Sequence, residues 1–225
     1  MVAQRGTMVV IVVARAAMAA GIVAAVIATH VDVASRGPVN PFNLYGYFTV
    51  QSNLIGAVAL LAAAVVGVLR RRQSEPLGLL RALAVTCLVI VGLVYAVLLA
   101  PLGVAGGVPV PWANTILHIV SPVFVLADWL LVGDRPGLPL RRVWVVLLYP
   151  SVWTSVVLVR GATDGWVPYP FLDPAQGYGV VTLYCLAILA LFVGVGLLVL
   201  RSSRIAGVLR ASSPAGYPRA DSGRW

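Results

Sequence analysis

Apolar residues fall in six long runs along this 225-residue chain, at 8–29, 44–69, 79–100, 114–132, 143–159 and 177–200. Short stretches rich in Arg, Pro, Gly and Asp separate them. Within each run the apolar positions are nearly continuous around a helix, as a segment surrounded by hydrocarbon requires. About 20 such residues cross a bilayer core. Runs of this length predict membrane-spanning helices. The pattern is that of an all-α, polytopic transmembrane helical bundle with six spans, one domain over 1–205. The fifth run is the shortest. A Ser/Pro/Gly/Arg-rich stretch over 206–225 predicts a disordered tail. The first run exceeds the roughly 7–15 apolar residues of a signal peptide and contains Arg15, so it reads as a retained span. Arg15 lies within the first two turns and is expected to snorkel to the nearer headgroups.

Composition agrees with the pattern and orientation follows from charge. Hydrophobic residues make up 60% of the chain and charged residues 10%, with a mean hydropathy of +0.97. A water-soluble domain carries about 25% charged residues, so this chain cannot solvate its own surface. The net charge is +9, and all sixteen basic residues are arginine. One set of loops holds Arg5, Arg70, Arg71, Arg72, Arg81, Arg135, Arg141 and Arg142, and the tail adds five more. The opposite loops hold only Arg36 and Arg160, beside Asp32, Asp164 and Asp173. By the positive-inside rule the first set is cytoplasmic, which with six spans places both termini there. The expected location is the plasma membrane. Absence of lysine beside abundant Ala, Val and Gly fits GC-rich bacterial coding. No long basic tract grips phosphates, so nucleic acid is not an expected partner; membrane lipids are. Cys87 and Cys185 stand apart inside apolar runs and read as small buried hydrophobes.

Polar groups inside a span are costly and call for a reason. The second run opens with Tyr47-Phe48-Thr49-Val50-Gln51-Ser52-Asn53, and the fourth with Asn114-Thr115-Ile116-Leu117-His118, continuing through Ser121 and Pro122 to Asp128. Thr49 and Asn53 share a helix face, as do Asn114, His118 and Ser121. Counted from the run starts, Thr49 and His118 lie at one depth, roughly 6–8 Å below the outer boundary. A threonine hydroxyl becomes a nucleophile when a base takes its proton, and imidazole is suited to that near neutral pH. Asn53, Asn114 or an outer-loop carboxylate such as Asp173 is available to orient the ring. Asn53, Gln51 or Arg160 is available to donate to an oxyanion. The same polar residues also serve plain helix–helix hydrogen bonding. Asp128, near the inner end of its run, reads as an interfacial or structural carboxylate. No phosphate-binding, zinc-hydrolase or serine-hydrolase motif occurs, and the two histidines lie far apart, so neither a cofactor nor a metal is expected.

Three stretches together resemble a known family. They are Tyr47–Asn53, Leu117-His118-Ile119-Val120-Ser121-Pro122 with Asp128-Trp129, and Trp166-Val167-Pro168-Tyr169-Pro170-Phe171-Leu172-Asp173. In this order on a six-span frame they look like the bacterial branch of the androgen-induced-protein superfamily, whose animal members include the androgen-dependent regulator of tissue factor pathway inhibitor. The resemblance runs from the second span to the start of the sixth. Those animal members are membrane hydrolases of fatty acid esters of hydroxy fatty acids, using a threonine and a histidine within the membrane. The resemblance implies Thr49 as nucleophile and His118 as base. The expected activity is hydrolysis of a lipid acyl ester. The alternative is a non-catalytic lipid-binding or regulatory membrane protein using the same outer cleft. A transporter would need ionisable groups through the midplane, where the sequence offers only Arg15 and Asp128, both near the inner side.

Overall fold

The computed structural model describes residues 2–69 and 71–209, and among these every named element is helical, without a β-strand. Six helical segments are long and apolar enough to cross a membrane. Helix α1 (Val2–Arg36) is followed by the single turn α2 (Pro41–Leu44) and by α3 (Phe48–Val68). Helix α4 (Glu75–Val94) continues through a π-turn at Tyr95–Leu99 and a 3-10 segment at Ala100–Gly106. The fourth span is built from α5 (Pro111–Thr115), a π-turn at Ile116–Val120 and α6 (Ser121–Leu131). Helices α7 (Val143–Thr163) and α8 (Tyr178–Ser202) complete the bundle.

Helix α4 is central: it packs on α3, α6, α7 and α8, while α1 covers α3 and α5. Helices α7 and α8 sit at the periphery with most of their apolar surface exposed. Two features of the local sequence shape the region around Thr49. Asn40 caps α2, its Oδ1 accepting from the Phe42 amide at 3.0 Å, and Pro41 starts the turn. This ends the first loop as a separate turn, so α3 begins at Phe48, four residues after the apolar run begins. Gly46 in the connecting turn leaves no room for a Cβ between the Phe42 carbonyl and the Trp166 ring.

Both π-turns precede a proline. The Ala100 amide bonds to the Tyr95 carbonyl and the Ser121 amide to the Ile116 carbonyl, each five residues back. Pro101 and Pro122 follow directly. A proline has no N–H and its ring crowds the carbonyl four residues earlier, so the turn before it widens. The widened turn of the fourth span packs on α4, where Gly92 permits the approach, and Tyr95 of the other widened turn stacks on His118. A Cβ on Gly92 would stand 3.2 Å from Pro122 Cβ and 3.6 Å from the His118 carbonyl oxygen.

The other end of the bundle holds a buried ion network, and it corrects the snorkelling expected of Arg15. Arg15 is 0% exposed. Its Nε meets Asp128 Oδ1 at 2.8 Å and its NH1 meets Asp134 Oδ2 at 2.6 Å. Arg81 reaches the same two carboxylates at 2.7 and 2.8 Å, and Gln73 bridges Arg81 and Asp134. Two guanidinium groups and two carboxylates neutralise each other, with nearly every donor matched to an acceptor. That arrangement removes the need to reach headgroups. Asp128 is thus structural, as expected, tying α1, α4 and α6 together.

The expected disorder of 206–225 meets one ordered piece. The Leu209 amide donates to the Leu131 carbonyl at 2.8 Å and the Gly133 amide to the Leu209 carbonyl at 3.0 Å, so the chain up to Leu209 is paired to the end of α6. The rest of that tail lies outside the described residues.

Candidate active site

Thr49 is the second residue of α3, and its hydroxyl leaves its own helix. Thr29, Thr86, Thr115 and Thr163 each donate to the carbonyl four residues earlier, at 2.8–3.0 Å. That is the ordinary fate of threonine in a membrane helix. For Thr49 the corresponding carbonyl is that of Tyr45, which already accepts from Gln51 Nε2 at 2.9 Å. The Thr49 hydroxyl instead stands 3.4 Å from His118 Nε2 and 3.3 Å from the Tyr169 hydroxyl. All three groups are buried or largely so.

One set of hydrogen positions satisfies the whole cluster. His118 Nδ1 lies 3.2 Å from the Asn114 carbonyl oxygen, which only accepts, so Nδ1 carries the proton and Nε2 presents its lone pair to Thr49. The Thr49 amide donates to the Tyr169 oxygen at 3.2 Å. Tyr169 then donates to Thr49 Oγ1, and Thr49 donates to His118 Nε2. Tyr169 sits outside the spans, and burial pushes its hydroxyl up to about 12, against the opposing pull of its bonds to Thr49. The phenol therefore keeps its proton and remains a donor.

The imidazole is held from its other side as well. The Tyr95 ring stacks on His118 with centroids 4.3 Å apart and planes 23° from parallel. The Tyr95 hydroxyl accepts from Asn114 Nδ2 at 2.7 Å, and Asn114 Oδ1 accepts from the Val108 amide at 2.9 Å. Asn114 thus orients the ring through its main-chain carbonyl and through Tyr95, not by direct side-chain contact.

The remaining sequence-predicted residues divide into one that braces the pair and three placed elsewhere. Asn53 is fully buried; its Nδ2 donates to the Thr49 carbonyl at 2.9 Å and to the Leu117 carbonyl at 3.0 Å, while its Oδ1 accepts from Ser121. It locks the start of α3 to the π-turn that carries His118. Gln51 holds the Tyr45 carbonyl and accepts from the Tyr149 hydroxyl at 2.9 Å. Arg160 is engaged by Asp164, Asn43 and the Phe42 carbonyl, and lies over the Trp166 ring. Asp173 caps the short turn at Pro174–Gln176. Neither Arg160 nor Asp173 bonds Thr49 or His118. Sequence reasoning missed Tyr95 and Tyr169 as members of the site; Tyr169 was visible only as part of an aromatic, proline-rich loop.

Equal depth from residue counting is not what brings Thr49 and His118 together. Thr49 lies one residue past the start of α3, and His118 seven past the start of the fourth span at Pro111. The helix starts are staggered, and the stagger makes the contact.

An apolar cavity of about 270 Å³ abuts the cluster, with Thr49 and Tyr169 in its wall. Its other lining comes from α4, α7, α8 and the loop between the last two, including Pro150, Cys185, Leu189 and Phe192. His118 does not line it. A second, more polar cavity of about 550 Å³ lies toward Arg160 and Trp166. Among the described residues no three His, Cys, Asp or Glu side chains converge as a metal site would need.

Fold and site together define a six-span helical membrane protein with a threonine–histidine–tyrosine cluster facing an apolar cavity. No family model, curated protein or solved structure matches the chain.

Proposed function

We propose that this protein is an intramembrane hydrolase of lipid acyl esters, with Thr49 as nucleophile and His118 as general base. The observation that carries this reading is the Thr49 hydroxyl, withdrawn from its own helix and aimed at the bare nitrogen of an oriented imidazole. The resemblance to the androgen-induced-protein superfamily supports the same two roles. With both termini cytoplasmic, as the arginine distribution indicates, the site lies in the outer half of the plasma membrane.

The steps follow from the geometry. Thr49 Oγ1 attacks the ester carbonyl while its proton passes to His118 Nε2. The carbonyl oxygen becomes an oxyanion beside the Tyr169 hydroxyl, which is placed to donate to it. The C–O bond to the alcohol breaks, and the alkoxide takes the proton back from His118. Water gives a proton to the same nitrogen as it attacks the Thr49 acyl ester; the acyl C–Oγ1 bond then breaks, Thr49 Oγ1 takes that proton back from His118, and the carboxylic acid leaves. The Nδ1–H bond to the Asn114 carbonyl holds the ring in the correct tautomer throughout.

The test is covalent labelling of purified protein by an activated alkyl fluorophosphonate. Wild type is expected to label at Thr49, and Thr49→Ala and His118→Ala to lose the label while still folding. Labelling that survives both substitutions overturns the mechanism.

A further inference from the structure

The apolar cavity opens onto the outer surface of the bundle, and with the hydrolase reading that opening names how substrate arrives. Thr49 and Tyr169 are among its lining, and Phe48, next to Thr49, meets Phe192 of α8 with ring centroids 5.8 Å apart. Along α8 the wall runs from Cys185 to Phe192, about 10 Å at ~1.5 Å per residue. Phe192 is 6% exposed. Leu186, on the same wall, is 58% exposed, and Ser151 of α7 opposite it is also exposed. The cavity therefore opens sideways between the two peripheral helices, onto surface that is otherwise apolar. Pro150 lines it as well. A proline there removes an amide from α7 and places a flat apolar ring on the wall.

We infer that this cavity is a slot for a single acyl chain, taken laterally from the bilayer between α7 and α8, with its ester presented to Thr49. This rests on the hydrolase reading for the role of Thr49, but the slot stands on the shape and chemistry of the wall. An apolar cavity of about 270 Å³ that opens to the membrane disfavours headgroups and accepts one hydrocarbon chain. A second chain of the same lipid has no room inside and stays in the bilayer. The substrate class is thus an ester reached from the membrane by one chain, rather than a soluble ester arriving from the aqueous phase.

The chain supplies its own probe. Cys185 lines the slot and is partly exposed, whereas Cys87 is fully buried. Dodecyl methanethiosulfonate is offered to wild type in phosphatidylcholine nanodiscs. The Cys185 thiolate attacks the thiosulfonate sulfur, forms a mixed disulfide and releases methanesulfinate, leaving a twelve-carbon chain tethered in the slot. Labelling of Thr49 by dodecyl fluorophosphonate is then expected to slow at least tenfold, and labelling by an ethyl fluorophosphonate by less than threefold. Cys185→Ala is expected to lose this block. Equal rates before and after modification overturn the slot. Failure of both fluorophosphonates on unmodified protein overturns the hydrolase reading instead, and the slot is then read by binding of fluorescent parinaric acid. That binding is expected in wild type and in Thr49→Ala, and is expected to be lost when Cys185 carries the dodecyl chain; its persistence there overturns the slot.

Discussion

His118 Nδ1 and the main-chain carbonyl oxygen of Asn114 lie 3.2 Å apart on consecutive turns of one span, and that contact sets the chemistry of the opposite ring nitrogen. A carbonyl cannot donate, so the uncharged ring carries its proton on Nδ1. Nitrogen NMR of histidine-labelled protein is expected to report a protonated Nδ1 and a bare Nε2 for His118. A proton on Nε2 would turn that nitrogen into a donor toward Thr49 and end its role as a base.

Tyr169→Phe keeps the ring, which stacks on Phe171 and meets Trp153 and Tyr47, and removes only the hydroxyl. Loss of one donor at a developing oxyanion costs roughly 10²–10³ in rate. Because the contact to Thr49 is long, the low end is expected, about a hundredfold in labelling rate, with thermal stability little changed. The ordinary tyrosine value is about 10, and burial raises Tyr169 to about 12. In wild type, labelling is therefore expected to persist through pH 10 without a loss attributable to this phenol. A steep fall centred on pH 10 would contradict its burial.

Asn53→Ala removes two donations and one acceptance from a fully buried position. Side-chain hydrogen bonds in membranes average about 0.6 kcal/mol, whereas an unsatisfied buried group costs about 1–3 kcal/mol. With the Thr49 and Leu117 carbonyls and the Ser121 hydroxyl all losing a partner, a loss of about 2 kcal/mol is expected in denaturant titration. If Asn53 positions the reacting pair, labelling of the still-folded protein slows as well. Unchanged labelling would leave it a purely structural brace.

Arg15→Leu leaves Asp128 and Asp134 to share Arg81, an uncompensated buried charge worth about 3–5 kcal/mol. Adding Asp128→Asn restores neutrality, and the double variant is expected to recover much of that loss in thermal unfolding. Burial raises the Asp134 carboxyl, but Arg81 and Arg15 together outweigh it and hold the group below its usual range. A depressed folded value means stability that is present above about pH 3.9 and lost as pH falls below it. Tm is thus expected to be flat from pH 5 to 7 and to fall on acidification below 4. A rise in Tm on acidification would mean that Asp134 is protonated in the fold.

The six runs were legible because apolar length is a one-dimensional property: a segment either can cross hydrocarbon or cannot, and no partner is needed to decide it. Thr49 and His118 were legible for a similar reason, since polar residues in such runs stand out against their neighbours. Pairing was a different matter. Arg15 could have reached for headgroups, and only the convergence of α1, α4 and α6 on Asp128, with Asp134 just beyond α6, gave it a closer set of partners. Tyr95 and the role of Tyr169 were not legible, because a tyrosine's role depends on what its hydroxyl meets across more than a hundred or about twenty residues of chain. Depth counted from run starts assumed that helices begin level. The capped turn at Asn40 and the early start at Pro111 broke that assumption, and the stagger put Oγ1 beside Nε2. The sequence by itself determined the membrane class and the six helices, and it singled out the polar residues within them. Which groups face each other was decided by tertiary structure, because hydrogen bonds and ion pairs are short-ranged and depend on helix stagger and rotation that no run length records.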